Sequence, residues 1–370
     1  MRIDVSTLTT PTLLIDQRIC KRNITRMVHR SRSAGLRLRP HMKTAQSRRI
    51  ARYFLEQGVD AITTSSVGMA RYFIDDGWMD VCIAFPFNIR EIDAVNDIDE
   101  GVDVHLVVES TDTAAALGKR LRRPVRIWIK VDTGHGRTGI PYDDARSLDD
   151  VMSMVERTTQ LTLQGVLTHA GMTYSARSTD EIRNLFSLSR ERLVRAAQQH
   201  GERLETSTGD TPGCVLTESF DGLNEIRPGN FMFFDVMQHK LGVCRSSDIA
   251  IAVACPVVAL HRKRGEVILY GGAIHFSKDS IPAADGGPVF GLVCEMAPEG
   301  WSEPIPDAYV RALSQEHGIV RAPEALLARL KPGDLLAVLP IHSCLTAQAM
   351  GSYVALDGSG IDHYAGMRKV

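Results

Sequence analysis

One lysine lies where a short apolar segment ends. Leu36–Arg39 has the length and composition of a strand, Pro40–Lys43 follows it, and a helix is predicted to begin at Ala45. A lysine at a strand end can trap a carbonyl group when desolvation and nearby cations free its lone pair. Taken alone, a lone lysine such as Lys43 is usually a solvated surface amine. Its chemistry therefore depends on which residues the fold places beside it.

Other residues that can bind or catalyse follow the other predicted strands. In a barrel of parallel strands the carboxyl ends of all strands open onto one face, where catalytic residues lie. The predicted positions are His41 and Lys43 after the first strand, Thr63 and Ser65 after the second, Asp132–Gly139 with Arg137 after the fifth, His169 and Tyr174 after the sixth, Thr208, Gly209 and Thr211 after the seventh, and Gly229 and Asn230 after the eighth.

The loops after the seventh and eighth strands have the composition of a phosphate site. Gly209, Thr211, Gly229 and Asn230 could bring backbone N–H groups close to phosphate oxygens, although such loops are more often ordinary turns. Opposite a lysine, the same cradle would suit pyridoxal 5'-phosphate, whose aldehyde reacts with the amine.

A second group of candidate residues lies far along the chain, where Leu339–Cys344 ends a predicted strand. If this segment is extended, His342 and Cys344 project to the same face. Imidazole and thiolate suit zinc better than magnesium, and two protein ligands would leave positions open for catalysis. The alternative is a buried cysteine beside a hydrogen-bonded histidine.

The elements that must position these residues alternate regularly. Eight predicted strands, each reached through a helix, occupy residues 17–240 and predict a (β/α)8 barrel, with an open doubly wound sheet as the alternative. After Lys240 the pattern changes to strands with polar connections, which predicts a mostly antiparallel β domain over residues 241–370. The leading strand Thr12–Asp16 is expected to pair with that domain, so residues 1–16 are assigned to it.

Composition limits the function classes. The 370 residues are 44% hydrophobic and 24% charged, and 43 basic residues nearly balance 44 acidic ones, so we expect no nucleic-acid or membrane partner. We see no signal peptide and no apolar run long enough to span a bilayer. The seven cysteines lack CxxC spacing and fit a reducing compartment, which predicts a cytoplasmic location.

Several segments, in the same order, resemble one enzyme family. Pro40–Thr44 resembles the Schiff-base motif of the metal-activated D-serine dehydratase and D-threonine aldolase family, relatives of alanine racemase in their barrel. Asp132–Gly139 is similar to that superfamily's glycine-arginine loop, Glu225–Asn230 to its phosphate loop, and Ser314–Gly318 to a segment of its second domain. The resemblance extends from Thr10 to about Cys344.

The resemblance implies roles for individual residues. Lys43 would carry pyridoxal 5'-phosphate as a Schiff base, Arg137 would face the cofactor's phenolic oxygen, and Tyr174 its pyridine nitrogen. His342 and Cys344 would bind a divalent metal, zinc first, with manganese or magnesium as alternatives. An interstrand salt bridge for Arg137 and a packing role for Tyr174 remain open. The family also implies a homodimer.

The expected activity is β-elimination from a D-3-hydroxy amino acid, as in D-serine dehydratase, because His-x-Cys marks that branch and His-x-Asp the aldolases. Retro-aldol cleavage like that of D-threonine aldolase, a racemase, and a barrel that binds the cofactor without turnover are the alternatives. Two segments depart from the family pattern. Leu345–Met350 does not match the usual dehydratase sequence, which leaves substrate identity open, and Met69 stands where a glutamate is expected.

Overall fold

The computed structural model describes residues 3–200 and 204–364, which form two compact units. The barrel unit contains Thr25–Lys43, Ile50–Gly229 and the last described residue, Tyr364. The C-terminal unit contains the described residues up to Ile24, together with Thr44–Arg49 and Asn230–His363. Lys43 and Thr44, neighbours in sequence, therefore belong to different units.

The first part of the chain alternates strands and helices as predicted. It begins with β1 (Thr12–Ile15) and α1 (Gln17–Ser33). The strands that follow are β2 (Arg37–Leu38), β3 (Ala61–Thr64), β4 (Asp80–Pro86), β5 (Asp103–Val108), β6 (Val125–Asp132), β7 (Ile140–Pro141), β8 (Leu161–Leu167), β9 (Glu205–Thr208) and β10 (Glu225–Ile226). The helices between them are α2 (Arg48–Leu55), α3 (Val67–Ile74), α4 (Ile92–Asn96), α5 (Thr111–Arg120), α6 (Ala145–Glu156), α7 (Thr179–Gln198) and α8 (Thr211–Leu216).

The parallel sheet of the barrel unit closes on itself. Its strand order is β2-β10-β9-β8-β6-β5-β4-β3, and the short β7 pairs with β6 outside this path. The two ends of the path meet through a parallel bridge between His41 and Thr63, where the Met42 amide also donates to the Thr63 carbonyl at 2.8 Å. The predicted barrel is confirmed, and the closure rules out the open doubly wound sheet.

Local sequence explains where the barrel helices begin. The helices α3, α5, α6 and α7 follow N-cap residues whose side chains accept a hydrogen bond from the backbone three residues on, namely Ser66, Ser110, Asp144 and Ser178. The predicted start of α2 at Ala45 is wrong, because Gln46 has a φ of 49° and the helix begins only at Arg48. A left-handed residue cannot continue a right-handed helix.

The C-terminal unit is mostly antiparallel. Its elements are α9 (Val236–Lys240), β11 (Ile251–His261), β12 (Glu266–Tyr270), α10 (Ala273–Phe276), β13 (Ile281–Pro282), β14 (Pro288–Val289), β15 (Gly291–Ala297), β16 (Gly300–Trp301), β17 (Tyr309–Leu313), β18 (His317–Arg321), α11 (Glu324–Arg329), β19 (Leu335–Pro340), α12 (Ser343–Met350), β20 (Tyr353–Ala355) and β21 (Gly360–Ile361). The main sheet runs β12-β18-β17-β15-β19-β11-β1-β20-β21, and β11 also pairs with β12.

The leading strand behaves as expected. The strand β1 pairs antiparallel with β11 and parallel with β20, so it belongs to the sheet of the C-terminal unit. The hairpin of β17 and β18 was not predicted from the sequence. In residues 3–200 and 204–364 no helix is both long enough and apolar enough to cross a bilayer.

A buried ionic network ties three barrel strands together. Arg39, directly after β2, has a fully buried side chain whose Nε donates to Glu225 Oε2 of β10 at 2.7 Å. Its Nη2 also donates to Asp80 Oδ2 of β4 at 3.1 Å. Burial alone would raise the pKa of Glu225, but Arg227 and Arg39 outweigh it and hold that pKa well below its ordinary value. Both carboxylates are therefore ionised at neutral pH.

We predict that Arg39→Met lowers the free energy of unfolding by about 3 kcal/mol, because it removes the guanidinium shared by Glu225 and Asp80, although Glu225 keeps Arg227 at 2.8 Å and Asp80 keeps His105 at 3.1 Å. Arg126→Met is the control. Arg126 pairs with Asp103 at 2.7 Å with a side chain that is 44% exposed, so its loss should cost about 1 kcal/mol or less. Urea unfolding followed by circular dichroism compares the two, and equal losses would contradict the prediction.

Candidate active site

The backbone around Lys43 is fixed by the strands on either side. The His41 amide donates to the Pro228 carbonyl at 3.0 Å, and the Thr63 amide donates to the Pro40 carbonyl at 2.9 Å. Lys43 follows these bonds in a turn and its side chain is exposed. The structure therefore places the amine at the carboxyl end of the first barrel strand, next to the end of β10.

The loop after β6 is organised by one carboxylate. Asp132 Oδ1 accepts from the amides of Gly134 and His135 at 2.9 Å and from Gly136 at 3.1 Å. These bonds fold the loop so that Arg137 is exposed and His135 is half-buried. A Cβ at Gly171 would overlap the His135 ring, so this glycine is required for the loops after β6 and β8 to pack together.

The next two loops meet through hydrogen bonds. His169 Nδ1 donates to the Gly209 carbonyl, and Tyr174 Oη accepts from the Thr211 amide at 3.2 Å. The ring centroids of His169 and Tyr174 are 6.1 Å apart. Each predicted site residue after β8 thus contacts the loop after β9.

The loops after β9 and β10 are also in close contact. Thr208 and Gly229 are buried, and a Cβ on Gly209 would lie 2.7 Å from the Arg227 carbonyl carbon. A side chain at position 209 would therefore force these two loops apart. The barrel unit brings together the predicted residues His41, Lys43, His169, Tyr174, Thr208, Gly209, Thr211 and Gly229, while Asn230 belongs to the C-terminal unit.

Positive charge dominates this end of the barrel, and the sequence-based analysis missed one contributor. The signal in the sequence was a lysine, Lys130, inside the otherwise apolar end of the predicted strand Val125–Val131. Burial, with Arg137 and Arg227 nearby, lowers the pKa of Lys130 to about 7. Burial, followed by the charge of Lys130, lowers the pKa of His169 to about 3, so this imidazole is neutral. Burial and Lys43 lower the pKa of His41 well below its ordinary value.

These residues fit pyridoxal 5'-phosphate. An exposed primary amine could attach the aldehyde, and the cationic surroundings suit a phosphate. Tyr174 has a hydroxyl whose orientation is fixed by the Thr211 amide. The donor set is therefore that of a Schiff-base cofactor site.

Asp210 is a second residue that the sequence-based analysis did not identify. Its Oδ1 accepts from the Gly213 amide at 2.6 Å, which caps α8, and from Thr173 Oγ1 at 2.8 Å, which anchors the residue before Tyr174. Its Oδ2 is buried, and in the described part of the chain no group hydrogen-bonds to it. Burial raises the pKa of Asp210 to about 7.

The pair His342 and Cys344 lies at a helix start. The expectation of an extended segment is wrong, because β19 ends at Pro340, His342 is the N-cap of α12, and Cys344 is in the first helical turn. The His342 and Cys344 side chains nevertheless face each other closely enough to hydrogen-bond. Asp235 Oδ2 accepts from the Ser343 amide at 3.0 Å, and this buried carboxylate ends the strand and begins the helix.

Polar groups of the C-terminal unit surround the pair. Thr44 Oγ1 lies 3.2 Å from Cys344 Sγ, and His342 Nδ1 donates to Asp279 Oδ2 at 2.7 Å. Asn230, assigned to the phosphate cradle from sequence, directs its Nδ2 to Asp235 Oδ2 at 2.6 Å and to Ser343 Oγ at 2.9 Å. The Oδ1 atom of Asn230 is buried, and no described residue hydrogen-bonds to it.

The donor set here fits a divalent metal. Burial lowers the pKa of His342, but Cys344, Asp235 and Asp279 outweigh that effect and raise it to about 9. The same anionic and electron-rich neighbours that favour the protonated His342 ring would also favour a metal ion bound to that ring in place of the proton. Imidazole with thiolate suits zinc.

A third cluster of potential ligands lies at the amino ends of β4 and β5. Ligand atoms of Asp80, Asp103 and His105 lie within 4.8 Å of one another. Arg39 and Arg126 already neutralise the two carboxylates. Trp128 Nε1 donates to His105 Nδ1 at 3.0 Å, so the imidazole proton is on Nε2, the nitrogen that faces Asp80. The cluster is an ionic network of the barrel rather than a metal site.

Comparison with known proteins agrees with both units. Residues 15–236 match the model of the alanine racemase N-terminal domain, and residues 250–356 match a serine dehydratase domain. The chain is 31% identical to D-threo-3-hydroxyaspartate dehydratase of Delftia sp., with 97% of each chain covered. It is 25% identical to D-serine dehydratase of Dictyostelium discoideum, over 95% of this chain and 94% of that protein.

Solved structures give the same result. The crystal structure of the Delftia dehydratase matches with a TM-score of 0.89 at 29% identity, covering 97% of this chain and 98% of that one. A cysteine-to-alanine variant of that enzyme has been solved in a metal-free form. D-threonine aldolase of Filomicrobium marinum matches with a TM-score of 0.83 over 99% and 98% of the two chains, and its 17% identity supports the fold alone.

We predict that Asp210 makes stability fall as pH rises. Its pKa is about 7 in the folded protein against an ordinary value of 3.8, so between these values the folded state holds a proton that the unfolded state releases. Stability is therefore greatest below the ordinary value and declines up to about pH 7. Asp210→Asn retains the Oδ1 acceptor and cannot ionise, so from pH 5 to pH 8 it should gain about 1 to 4 kcal/mol relative to the unaltered protein.

Urea unfolding at the two pH values measures this difference. Asp221→Asn is the matched control, because the Asp221 side chain is 94% exposed and its removal should leave the pH dependence unchanged. Placing an amide nitrogen at the Oδ2 position changes the free energy of unfolding by the same amount at both pH values. This change therefore cancels when the two pH values are compared. Parallel pH curves for Asp210→Asn and the unaltered protein would refute the prediction.

Proposed function

The chain belongs to the family in which an alanine racemase N-terminal domain is followed by a serine dehydratase domain, and from this premise we propose that it is a pyridoxal 5'-phosphate- and metal-dependent lyase of D-3-hydroxy amino acids. Within this class we propose a dehydratase. The observation that carries the proposal is the presence of Cys344 two residues after His342, because the chain is 31% identical to a dehydratase. The Cys344 sulfur lies within hydrogen-bonding distance of Thr44.

The two groups supply complementary chemistry when bound: the cofactor withdraws electrons from the substrate's α-carbon, and the metal, as a Lewis acid, assists loss of the β-hydroxyl. Lys43 is the attachment point of the cofactor and, as an amine, the base that accepts the α-proton. His342 and Cys344 are the metal ligands. Loss of water from the substrate would leave an enamine, and hydrolysis of that enamine would consume one water and release a 2-oxo acid and ammonia.

The remaining residues bind and orient. Arg137 would face the phenolic oxygen of the cofactor, and Tyr174, held by the Thr211 amide, would direct its hydroxyl to the pyridine nitrogen. A neutral tyrosine does not hold that nitrogen protonated as a carboxylate would. Thr208, Gly209, Thr211 and Gly229 would bind the phosphate, and the neutral His169 and His41 add no charge to the site.

The proposal includes zinc as the metal, a homodimer as the assembly and a cytoplasmic location. Zinc is supported by the imidazole and thiol donors, and the homodimer by the family resemblance. The location is supported by the seven cysteines, all of which are thiols in the structure.

A retro-aldol reaction is the second candidate function. A 3-hydroxy-D-aspartate aldolase of Paracoccus denitrificans is 22% identical to the chain over 97% of its length. The same amine and the same metal could serve it, because deprotonation of the β-hydroxyl would then break the Cα–Cβ bond and give glycine and an aldehyde.

We predict that Lys43→Ala abolishes the visible absorbance that the purified, cofactor-loaded protein shows when an amine carries the aldehyde. Lys119→Ala, on the exposed surface of α5, is the control and should retain the band. A band of full strength in Lys43→Ala would show that another amine holds the cofactor.

Product analysis tests the reaction type. With D-serine or D-threo-3-hydroxyaspartate we expect a 2-oxo acid and ammonia, and we expect rigorous chelation or His342→Ala to lower the rate about 100-fold or more, since Lewis-acid assistance contributes several kcal/mol. Restoring zinc to the chelated protein should restore the rate. Glycine as the main product would favour the aldolase, and full activity after chelation would exclude the metal role.

A further inference from the structure

Asp279 is the nearest acidic partner of the proposed ligand His342. The Nδ1 of His342 donates to Asp279 Oδ2 at 2.7 Å, across 63 residues of sequence. When a metal takes the place of the proton on Nε2, the ring keeps its Nδ1 proton on Asp279 and offers the lone pair of Nε2. A carboxylate in this position fixes the tautomer and the orientation of a metal-binding histidine and raises its basicity.

The loop that carries Asp279 is held in an unusual conformation. Ser277, which ends α10, has a φ of 90°, a region that residues other than glycine rarely occupy. The Asp279 amide donates to Ser277 Oγ at 3.2 Å, and the Phe276 carbonyl accepts from Thr346 Oγ1 of α12 at 2.8 Å. The loop is therefore tied to the same helix that His342 begins.

The start of α10 is supported by the segment Ser314–Gly318, which resembles a segment of the family's second domain. In the turn between β17 and β18, the carbonyls of Ser314, Gln315 and Glu316 accept from the amides of Ala273, Ile274 and Gly271 at 2.8, 3.2 and 2.9 Å. A Cβ on Gly272 would lie 2.5 Å from two of these carbonyl oxygens. Only glycine fits between the turn and the helix.

We propose that Asp279 is the positioning residue of His342 and that the Asp279 support, consisting of Ser314–Gly318, Gly271, Gly272 and α10, sets its place. The inference rests on the proposed function, because it assumes that His342 and Cys344 bind a metal. It assigns to the Ser314–Gly318 turn the task of holding one metal ligand in its coordinating orientation, and it predicts that distant changes in the support weaken metal binding.

The test measures Zn2+ affinity of the full-length, cofactor-loaded protein by competition with a chromogenic chelator. Loss of an outer partner typically weakens metal binding about 10- to 100-fold, which we expect for Asp279→Ala. Asp279→Asn keeps an oxygen acceptor without the charge and should fall between. Asp285→Ala is the control: Asp285 pairs with Arg321 at 3.1 Å with a side chain 59% exposed, so its removal should not change the affinity.

The support is tested at a distance with Gly272→Ala, which touches neither His342 nor Asp279. It should also weaken Zn2+ binding by about tenfold. Gly360→Ala is its control, since a Cβ at Gly360 would meet no atom within 4 Å. The cofactor absorbance and the thermal midpoint of the metal-free Asp279→Ala protein should match those of the metal-free unaltered protein. If Asp279 only stabilised the packing of the unit, the thermal midpoint would fall.

Coordination itself is read with Co2+, whose absorption spectrum reports the ligand set. At saturating Co2+ the Asp279→Asn spectrum should equal that of the unaltered protein, and a changed spectrum would make Asp279 a ligand and overturn the positioning role. Equal Zn2+ affinities for the unaltered protein and Asp279→Ala would also overturn it. If the unaltered protein binds no metal, both this inference and the metal part of the proposed function fail. The Lys43→Ala absorbance test would still decide whether the cofactor is attached to Lys43, because it does not depend on the metal.

Discussion

The arrangement of the barrel strands depends on the ion pairs that the buried guanidinium of Arg39 makes with Glu225 and Asp80. This guanidinium joins the residue after β2 to Glu225 of β10 and Asp80 of β4, so three strands that are not neighbours in sequence share one charge network. Arg39 precedes Lys43, the proposed cofactor lysine, by four residues, so the network lies close to it in sequence. Such ionic contacts add little net stability compared with apolar packing, but they specify one arrangement.

Burial gives this end of the barrel its chemical character. Burial, followed by the charge of Lys130 for His169 and of Lys43 for His41, depresses the pKa values of these enclosed imidazoles. The result is a set of neutral hydrogen-bonding rings in a cationic field. An anionic ligand such as the proposed cofactor would compensate these charges.

Sequence pattern predicted the barrel, the antiparallel unit and the pairing of β1 because each depends on local periodicity. The strand ends followed directly, and they contain Lys43, His169 and Tyr174. The pattern did not reveal Asp210, Asp235 or Asp279, because each is a loop or cap residue whose partners lie far away in sequence, 108 residues between Asp235 and Ser343. It also gave the wrong geometry for His342 and Cys344, since the start of α12 depends on that distant carboxylate.

That error has a chemical consequence for the metal pair. On a strand, His342 and Cys344 would be two side chains with no help from the backbone. At the start of the eight-residue helix α12, Cys344 lies in the first turn, with its sulfur 3.2 Å from Thr44 Oγ1 and 3.9 Å from Asn230 Nδ2. Asp235 accepts from the Ser343 amide and from Asn230, so the helix start, the cysteine and the asparagine are placed by one buried carboxylate. The proposed ligand pair is thus placed by the cap of α12 as well as by its own two side chains.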